Sequence, residues 1–146
     1  MNNIQVRNAE KKDLPSIQKL LSELGYGPVE IPQLTQTWTE IMSLENMGII
    51  VSEVDGQIAG YLAYSLKPQL RLCSLSMEID ELCISETLRG RGIGTSLINK
   101  AKDIASKQSA RQIIISTNRE RESYKRGFYT KNGFLEKNSA WLKIDL

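Results

Sequence analysis

Arg89-Gly90-Arg91-Gly92-Ile93-Gly94 decides the reading of this chain. The stretch follows a strand-like run and opens an amphipathic helix, and it sets three glycines and two arginines at the helix start. The first turn of a helix leaves N–H groups unpaired and carries a partial positive charge, which suits a phosphate or pyrophosphate. Glycine-rich turns are common, so the weight of this one rests on its flanks.

Upstream lies Leu72 to Ile84. The apolar residues Cys73, Leu75, Met77 and Ile79 have odd numbers, whereas Leu82 and Ile84 have even ones. A strand alternates faces with period two, so the change of parity throws side chains onto the wrong face. One extra residue, a β-bulge near Asp80-Glu81, restores a single apolar face, and bulges often sit beside active sites. The competing reading is two short strands, or an edge strand of mixed burial. Downstream, Ile93, Leu97, Ile98, Ala101, Ile104 and Ala105 make one helical stripe. Gln112 to Ser116 then reads as a buried strand, completing a β-α-β unit.

The rest of the chain extends this pattern. Ile4 to Arg7 reads as a first strand. A helix starts at Asp13-Leu14-Pro15 with the stripe Leu14, Ile17, Leu20, Leu21 and Leu24, and Gly25-Tyr26-Gly27-Pro28 stops it. Residues 33 to 46 predict a second helix, with Leu34, Trp38, Ile41, Met42 and Leu44 inward. Gly48 to Val54, Asp55-Gly56 and Gln57 to Leu66 are a tight hairpin. A further helix runs from Glu122 to about Asn132, ended by Gly133, and Phe134–Glu136 and Ala140–Asp145 predict two final strands. At 146 residues this is a single domain, 1–146.

Composition excludes several function classes. The net charge of +2, without a basic stripe interleaved with aromatics, argues against nucleic acid. Cys73 and Cys83 match no metal or redox spacing, so a reducing, cytoplasmic compartment is expected. The polar N-terminus and the lack of a long apolar run predict no membrane association. The chain has no histidine, which removes Ser-His and Cys-His catalysis and histidine metal sites. Any acid or base must be Asp, Glu, Tyr, Lys, Cys, a terminus or water.

With this element order in hand, the chain resembles the GNAT superfamily of acyl-CoA-dependent N-acetyltransferases. Its coenzyme motif Gln/Arg-x-x-Gly-x-Gly/Ala is matched by Arg89, Gly92 and Gly94. A second signature is matched by Phe128-Tyr129-Thr130-Lys131-Asn132-Gly133-Phe134. The tail from Ser116-Thr117-Asn118 also resembles aminoalkylphosphonate and aminoglycoside acetyltransferases. The resemblance implies an α/β fold with a central mixed β-sheet, a bulged fourth strand and about four flanking helices. It implies an N-acetyltransferase that moves the acetyl group of acetyl-CoA to a primary amine of a small molecule or peptide, in a ternary complex and without metal. A non-catalytic acyl-CoA-binding sensor is the alternative, and a homodimer is compatible with either.

The chemistry has three demands. The amine must be neutral, although a free alkyl ammonium has a pKa of about 10. The tetrahedral oxyanion needs a donor, and the departing thiolate benefits from protonation. By the resemblance, backbone N–H groups of about Arg91, Gly92, Ile93, Gly94 and Thr95 hold the pyrophosphate, and Arg89 and Gly90 belong to the same coenzyme-binding loop. The bulged strand at Leu82, Cys83 and Ile84 pairs with the pantetheine amides, an N–H near Cys83 or Ile84 polarises the carbonyl, Asn118 adds a coenzyme contact, and Tyr129 protonates the sulfur. The structural alternative for Tyr129 is a core tyrosine bonded to a carbonyl. Glu78, Asp80 and Glu81 cannot all be buried. One of them, Glu81 first and Glu78 second, is expected to relay the ammonium proton to water; the alternative is an exposed strand face. Tyr26 and Trp38 are candidates for the acceptor wall or for the core.

Overall fold

A hairpin forms the spine of the sheet. β2 (Met47–Val54) and β3 (Gln57–Gln69) pair antiparallel across Asp55-Gly56. Both turn residues are left-handed, at φ 50° and 81°, the conformation that a two-residue hairpin needs to match strand twist. In the computed structural model, which describes residues 3–146, the order is β1-β2-β3-β4-β5, with β1 (Ile4–Asn8), β4 (Ser74–Ile84) and β5 (Gln112–Ile115). The helices of this part are α1 (Leu14–Glu23), α2 (Ile31–Met42) and α3 (Ile93–Lys107). By contact density the chain divides into two compact units, the first running to Ile114 and the second being Ile115–Leu146.

The parity change in β4 is a bulge. Ala63 pairs with Glu81, yet the next residue, Tyr64, pairs with Ile79, so Asp80 is the extra residue. The consequence is the single face that parity required. Met77, Ile79, Leu82 and Ile84 all pair with even-numbered residues of β3, and these alternate to one side of the sheet. Cys83 and Glu81 pair with Tyr61 and Ala63 on the other side.

Each face has its own cover. Tyr61, Ala63, Cys83, Ile49 and Val51 pack with Leu14, Ile17, Leu20 and Leu21 of α1. α2 joins this cluster less tightly, through partly buried Leu34, Trp38 and Ile41. Met42 and Leu44, expected inward, are 37% and 48% exposed because α2 ends at Met42 and its contact stripe is narrow. Ile93, Leu97, Ile98 and Ala101 of α3 are almost fully buried, at the spacing that the sequence predicts. Each large apolar side chain so buried contributes about 1.5–3 kcal/mol, which anchors the helix and fixes where its first turn lies.

The second unit departs from expectation. The helix expected from Glu122 to Asn132 is two short ones, α4 (Glu122–Lys125) and α5 (Phe128–Lys131). Gly127 separates them at φ 75°, a left-handed conformation in which glycine pays no steric penalty. Gly133 does end α5 as predicted, at φ 95°. Phe134 N–H donates to the Tyr129 carbonyl at 3.0 Å and Gly133 N–H to the Thr130 carbonyl at 3.1 Å. The two final strands do not form, and Trp141, Leu142 and Ile144 are 73%, 87% and 87% exposed. Alternation alone makes no strand; a ladder partner must accept the backbone bonds, and the unit itself supplies none.

Candidate active site

The glycine loop is shaped by two left-handed residues. Gly90 and Gly92 have φ 78° and 83°, and Gly92 is the N-cap of α3. No side chain caps this helix. Its first internal bond runs from Ser96 N–H to the Gly92 carbonyl at 3.0 Å, so Ile93, Gly94 and Thr95 precede the ladder and their N–H groups have no partner within it. A Cβ built on Gly90 or Gly92 meets nothing within 4 Å, so an approaching group can reach this backbone. Gly94 differs: it is buried inside the first turn. Arg89 and Arg91 are exposed, and Arg89 Nε donates to the Ile84 carbonyl at 3.3 Å, tying the loop to the end of β4.

That bond also reveals which way β4 points. Ser85 N–H donates to the Ala59 carbonyl of β3 at 2.8 Å. Alternation then turns the Cys83 backbone toward β3 as well, and turns Leu82 and Ile84 away from it. Sequence reasoning grouped Leu82, Cys83 and Ile84 together. The ladder separates them: the backbone of Cys83 serves β3, while Leu82 and Ile84 face the other edge. β5 is only four residues long and is tied near the start of β4, with Arg111 N–H donating to the Leu75 carbonyl at 2.9 Å and Gln112 Nε2 to Ser76 Oγ at 3.0 Å.

The acids behave differently from one another. Glu78 pairs with Lys67 at 3.1 Å. Asp80, the bulged residue, accepts from Ser65 Oγ at 3.3 Å; burial raises its pKa, Ser65 opposes this, and Glu78 adds to it. Glu81 accepts from the Tyr61 hydroxyl at 3.4 Å. Burial pushes the Glu81 carboxyl above the usual range, the Tyr61 bond opposes this, and the charge of Asp80 adds to it. Tyr61 is itself raised, first by burial and then by the charge of Glu81.

Glu81 borders an open cavity of about 360 Å³ lined by residues of α1, of the segment after it, of α2 and of the strands beneath them. Tyr26, Leu34, Trp38, Ile41 and Tyr61 are among its walls, and Glu78 is not. Trp38 Nε1 is buried and has no hydrogen-bond partner among the described residues. Glu81 is an exposed residue at the border of this cavity, yet the protein around its carboxylate disfavours the charged form.

In the second unit, Tyr129 is half-buried. Its ring meets Phe128 edge-on at 5.1 Å and Phe134 at 6.3 Å. Its hydroxyl has no hydrogen bond among the described residues, unlike a core tyrosine bonded to a carbonyl. Asn118 Oδ1 accepts from Glu120 N–H at 2.9 Å and shapes the turn before α4.

A mixed five-stranded sheet, a bulged fourth strand and an uncapped glycine-lined helix start define an acetyltransferase fold. The model of the "Acetyltransferase (GNAT) family" matches residues 14–134, and the chain belongs to that family. It is 29% identical to an uncharacterized N-acetyltransferase of Methanocaldococcus jannaschii over 95% of this chain, and spans 65% of that relative's length. It is 23% identical to the aminoalkylphosphonate N-acetyltransferase of Salmonella typhimurium, over 95% of this chain and 90% of the relative. The crystal structure of glucosamine-6-phosphate N-acetyltransferase from Arabidopsis thaliana shares the fold, with a TM-score of 0.85, 22% identity and coverage of 97% and 98% of the two chains. Among the described residues, no helix is long and apolar enough to cross a membrane.

Proposed function

We propose that the protein transfers the acetyl group of acetyl-CoA to a primary amine by direct attack in a ternary complex. The observation that carries this reading is the pairing of a raised carboxylate, Glu81, with an uncapped, glycine-lined helix start reached from the same strand. The residues fit the coenzyme. The N–H groups of Arg91 to Thr95 suit its pyrophosphate, and the outward backbone groups of Leu82 and Ile84 suit its pantetheine amides.

The amine arrives as an ammonium. It gives one proton to Glu81, directly or through water. The nitrogen then bonds to the carbonyl carbon as the C–S bond breaks, and the nitrogen releases its second proton. The outward N–H groups of β4 stabilise the developing oxyanion. Tyr129, assigned by the Phe-Tyr-x-x-x-Gly-Phe motif, gives the thiolate its proton and is reprotonated from solvent. One proton leaves overall. A thiol pKa of about 8.5 makes the thiolate a modest leaving group, so Tyr129 need not carry the whole barrier. Glu78, held by Lys67 away from the cavity, is the weaker candidate for proton relay.

Thiol release from acetyl-CoA in the presence of a panel of primary amines tests this. Amine-dependent release with a mass gain of one acetyl group supports the reading. Saturable coenzyme binding without transfer to any amine points to a sensor instead.

A further inference from the structure

The β4 bulge has a second consequence, for charge. In an unbroken strand, consecutive side chains project to opposite faces of the sheet, which keeps neighbouring carboxylates apart. Here Glu81 stands opposite Ala63, and Asp80 accepts from the Ser65 hydroxyl at 3.3 Å. Ala63 and Ser65 are two residues apart on β3, so they share a face. The inserted residue therefore brings the carboxylates of Asp80 and Glu81 to one face, from Cα atoms only about 3.8 Å apart. It is the face that α1 and α2 cover and on which the cavity opens.

Little around this pair offsets its charge. Lys67 approaches from β3, but its ammonium is held at 3.1 Å by Glu78, two residues before Asp80. Tyr61 of β3 donates to Glu81 at 3.4 Å. Cys83 of β4 turns its thiol to the Leu20 carbonyl at 3.3 Å, and Tyr26 borders the cavity from the segment after α1. The residues with which α1 and α2 line the cavity are all uncharged. Asp80 has no ion pair among the described residues. Two like charges this close disfavour each other, and the second to ionise holds its proton more tightly. Burial raises both carboxyls, and the charge of Asp80 adds to the rise at Glu81.

Resting on the acetyl-transfer reading, we infer that Asp80 is a positioning residue of the proton relay: turned beside Glu81 by the bulge, its charge makes Glu81 a stronger acceptor for the ammonium proton and sets the pH at which transfer begins. Asp80 takes no proton from the substrate itself. It acts through Glu81, and Ser65 holds it in place.

The coupling can be read without turnover. The side-chain carboxyl carbon resonance of Glu81, assigned by Glu81→Gln and titrated in the free chain, should show a lower midpoint in Asp80→Asn. With the most active primary amine of the panel, the acid limb of the kcat/KM profile should move to lower pH in the same variant. Its plateau should fall by less than the loss of about a hundredfold expected for Glu81→Gln. Asp80→Ser, a second neutral variant, should act alike, and Asp80→Glu should restore the limb. In a Glu81→Gln background, Asp80→Asn should leave the profile where it is, because a residue that acts through Glu81 has nothing left to act on. A lowered midpoint with no amine acetylated would remove the acetyl-transfer reading and leave the coupling standing. An unmoved midpoint and limb, with kcat lowered, would make Asp80 a structural part of the bulge and overturn the inference. Activity lost in Asp80→Asn but kept in Glu81→Gln would make Asp80 the proton acceptor and overturn it as well.

Discussion

The Tyr61 hydroxyl stands 3.4 Å from Oε1 of Glu81, the residue immediately after the β4 bulge. Tyr61 pairs with Cys83 in the ladder, so phenol and carboxylate lie on one face and project toward the same cavity. The bond is long for O–H···O, where about 2.7–2.8 Å is usual, so it offsets only part of the desolvation of the carboxylate.

This arrangement sets a trade between stability and activity at Glu81. Its pKa is raised on folding, so the native state holds the proton more tightly than the unfolded chain. Stability from this group is full below the unfolded value, about 4.3, and is lost as pH rises through the higher folded one. Glu81→Gln should therefore raise the melting temperature at pH 7 and change it little at pH 4. The same substitution should lower kcat/KM for a cationic amine by on the order of a hundredfold and shift the alkaline onset of activity toward the pKa of the amine itself. Melting curves at the two pH values, with a pH–rate profile, check both halves.

The coenzyme loop predicts a separate loss. Gly92→Val forces a β-branched residue to φ 83° and fills the open approach to the first turn of α3. Affinity for acetyl-CoA, measured by calorimetry, should fall at least tenfold, with the fold retained by circular dichroism. Unchanged affinity would remove the loop from the coenzyme site.

Tyr129→Phe removes one hydroxyl from a ring whose packing against Phe128 and Phe134 stays intact. The expected result is a fall in kcat on the order of a hundredfold with little change in acetyl-CoA affinity. A fully active variant would assign Tyr129 to packing alone.

Gly60 tests the position of the β4 edge. It pairs with Ile84, and a Cβ at this site would stand 2.7 Å from the Cys83 carbonyl and from Ile84 Cδ1. The carbonyl is backbone and cannot turn aside, so β4 must shift where Leu82 and Ile84 face outward. Gly60→Ala should cost about 1–3 kcal/mol by denaturant unfolding and should raise KM for acetyl-CoA.

Asp13 predicts the acid limit of stability. Burial disfavours its charge, but the hydrogen bonds from Arg7 at 2.7 and 3.0 Å and from Glu10 N–H at 2.8 Å, together with the charges of Arg7 and Lys12, outweigh it and hold its pKa below the usual range. Its contribution is complete above the unfolded value, about 3.9, and is lost as pH falls through the lower folded one. Asp13→Asn should destabilise the chain at pH 7 by about 1.5–3 kcal/mol and flatten its stability profile below pH 4.

Much of the fold was legible in one dimension. Periodicity located α1, α3 and the hairpin because each buries one face, and burial imposes its period on the residues. The bulge was legible for the same reason: only an inserted residue reconciles Ile79 with Leu82. The helix start after Gly92 was legible because its backbone angles demand glycine. These features are local, and the side-chain pattern records them directly.

The tertiary structure alone decided the rest, because it depends on which chain segments meet. Glu78 and Glu81 are alike in sequence, yet Lys67 occupies one and the cavity borders the other. Leu82, Cys83 and Ile84 are consecutive, yet ladder polarity turns Cys83 toward β3 and its neighbours away. Trp38 reads as one more residue of an apolar stripe; only α2 lying loosely over the sheet leaves its N–H buried and unmatched. Alternation at Leu142 and Ile144 writes a strand, Ala140–Asp145, that no ladder in its unit completes. A sequence records the face that each residue prefers; the hydrogen-bond and charge partners that give a residue its chemistry come from elsewhere in the chain.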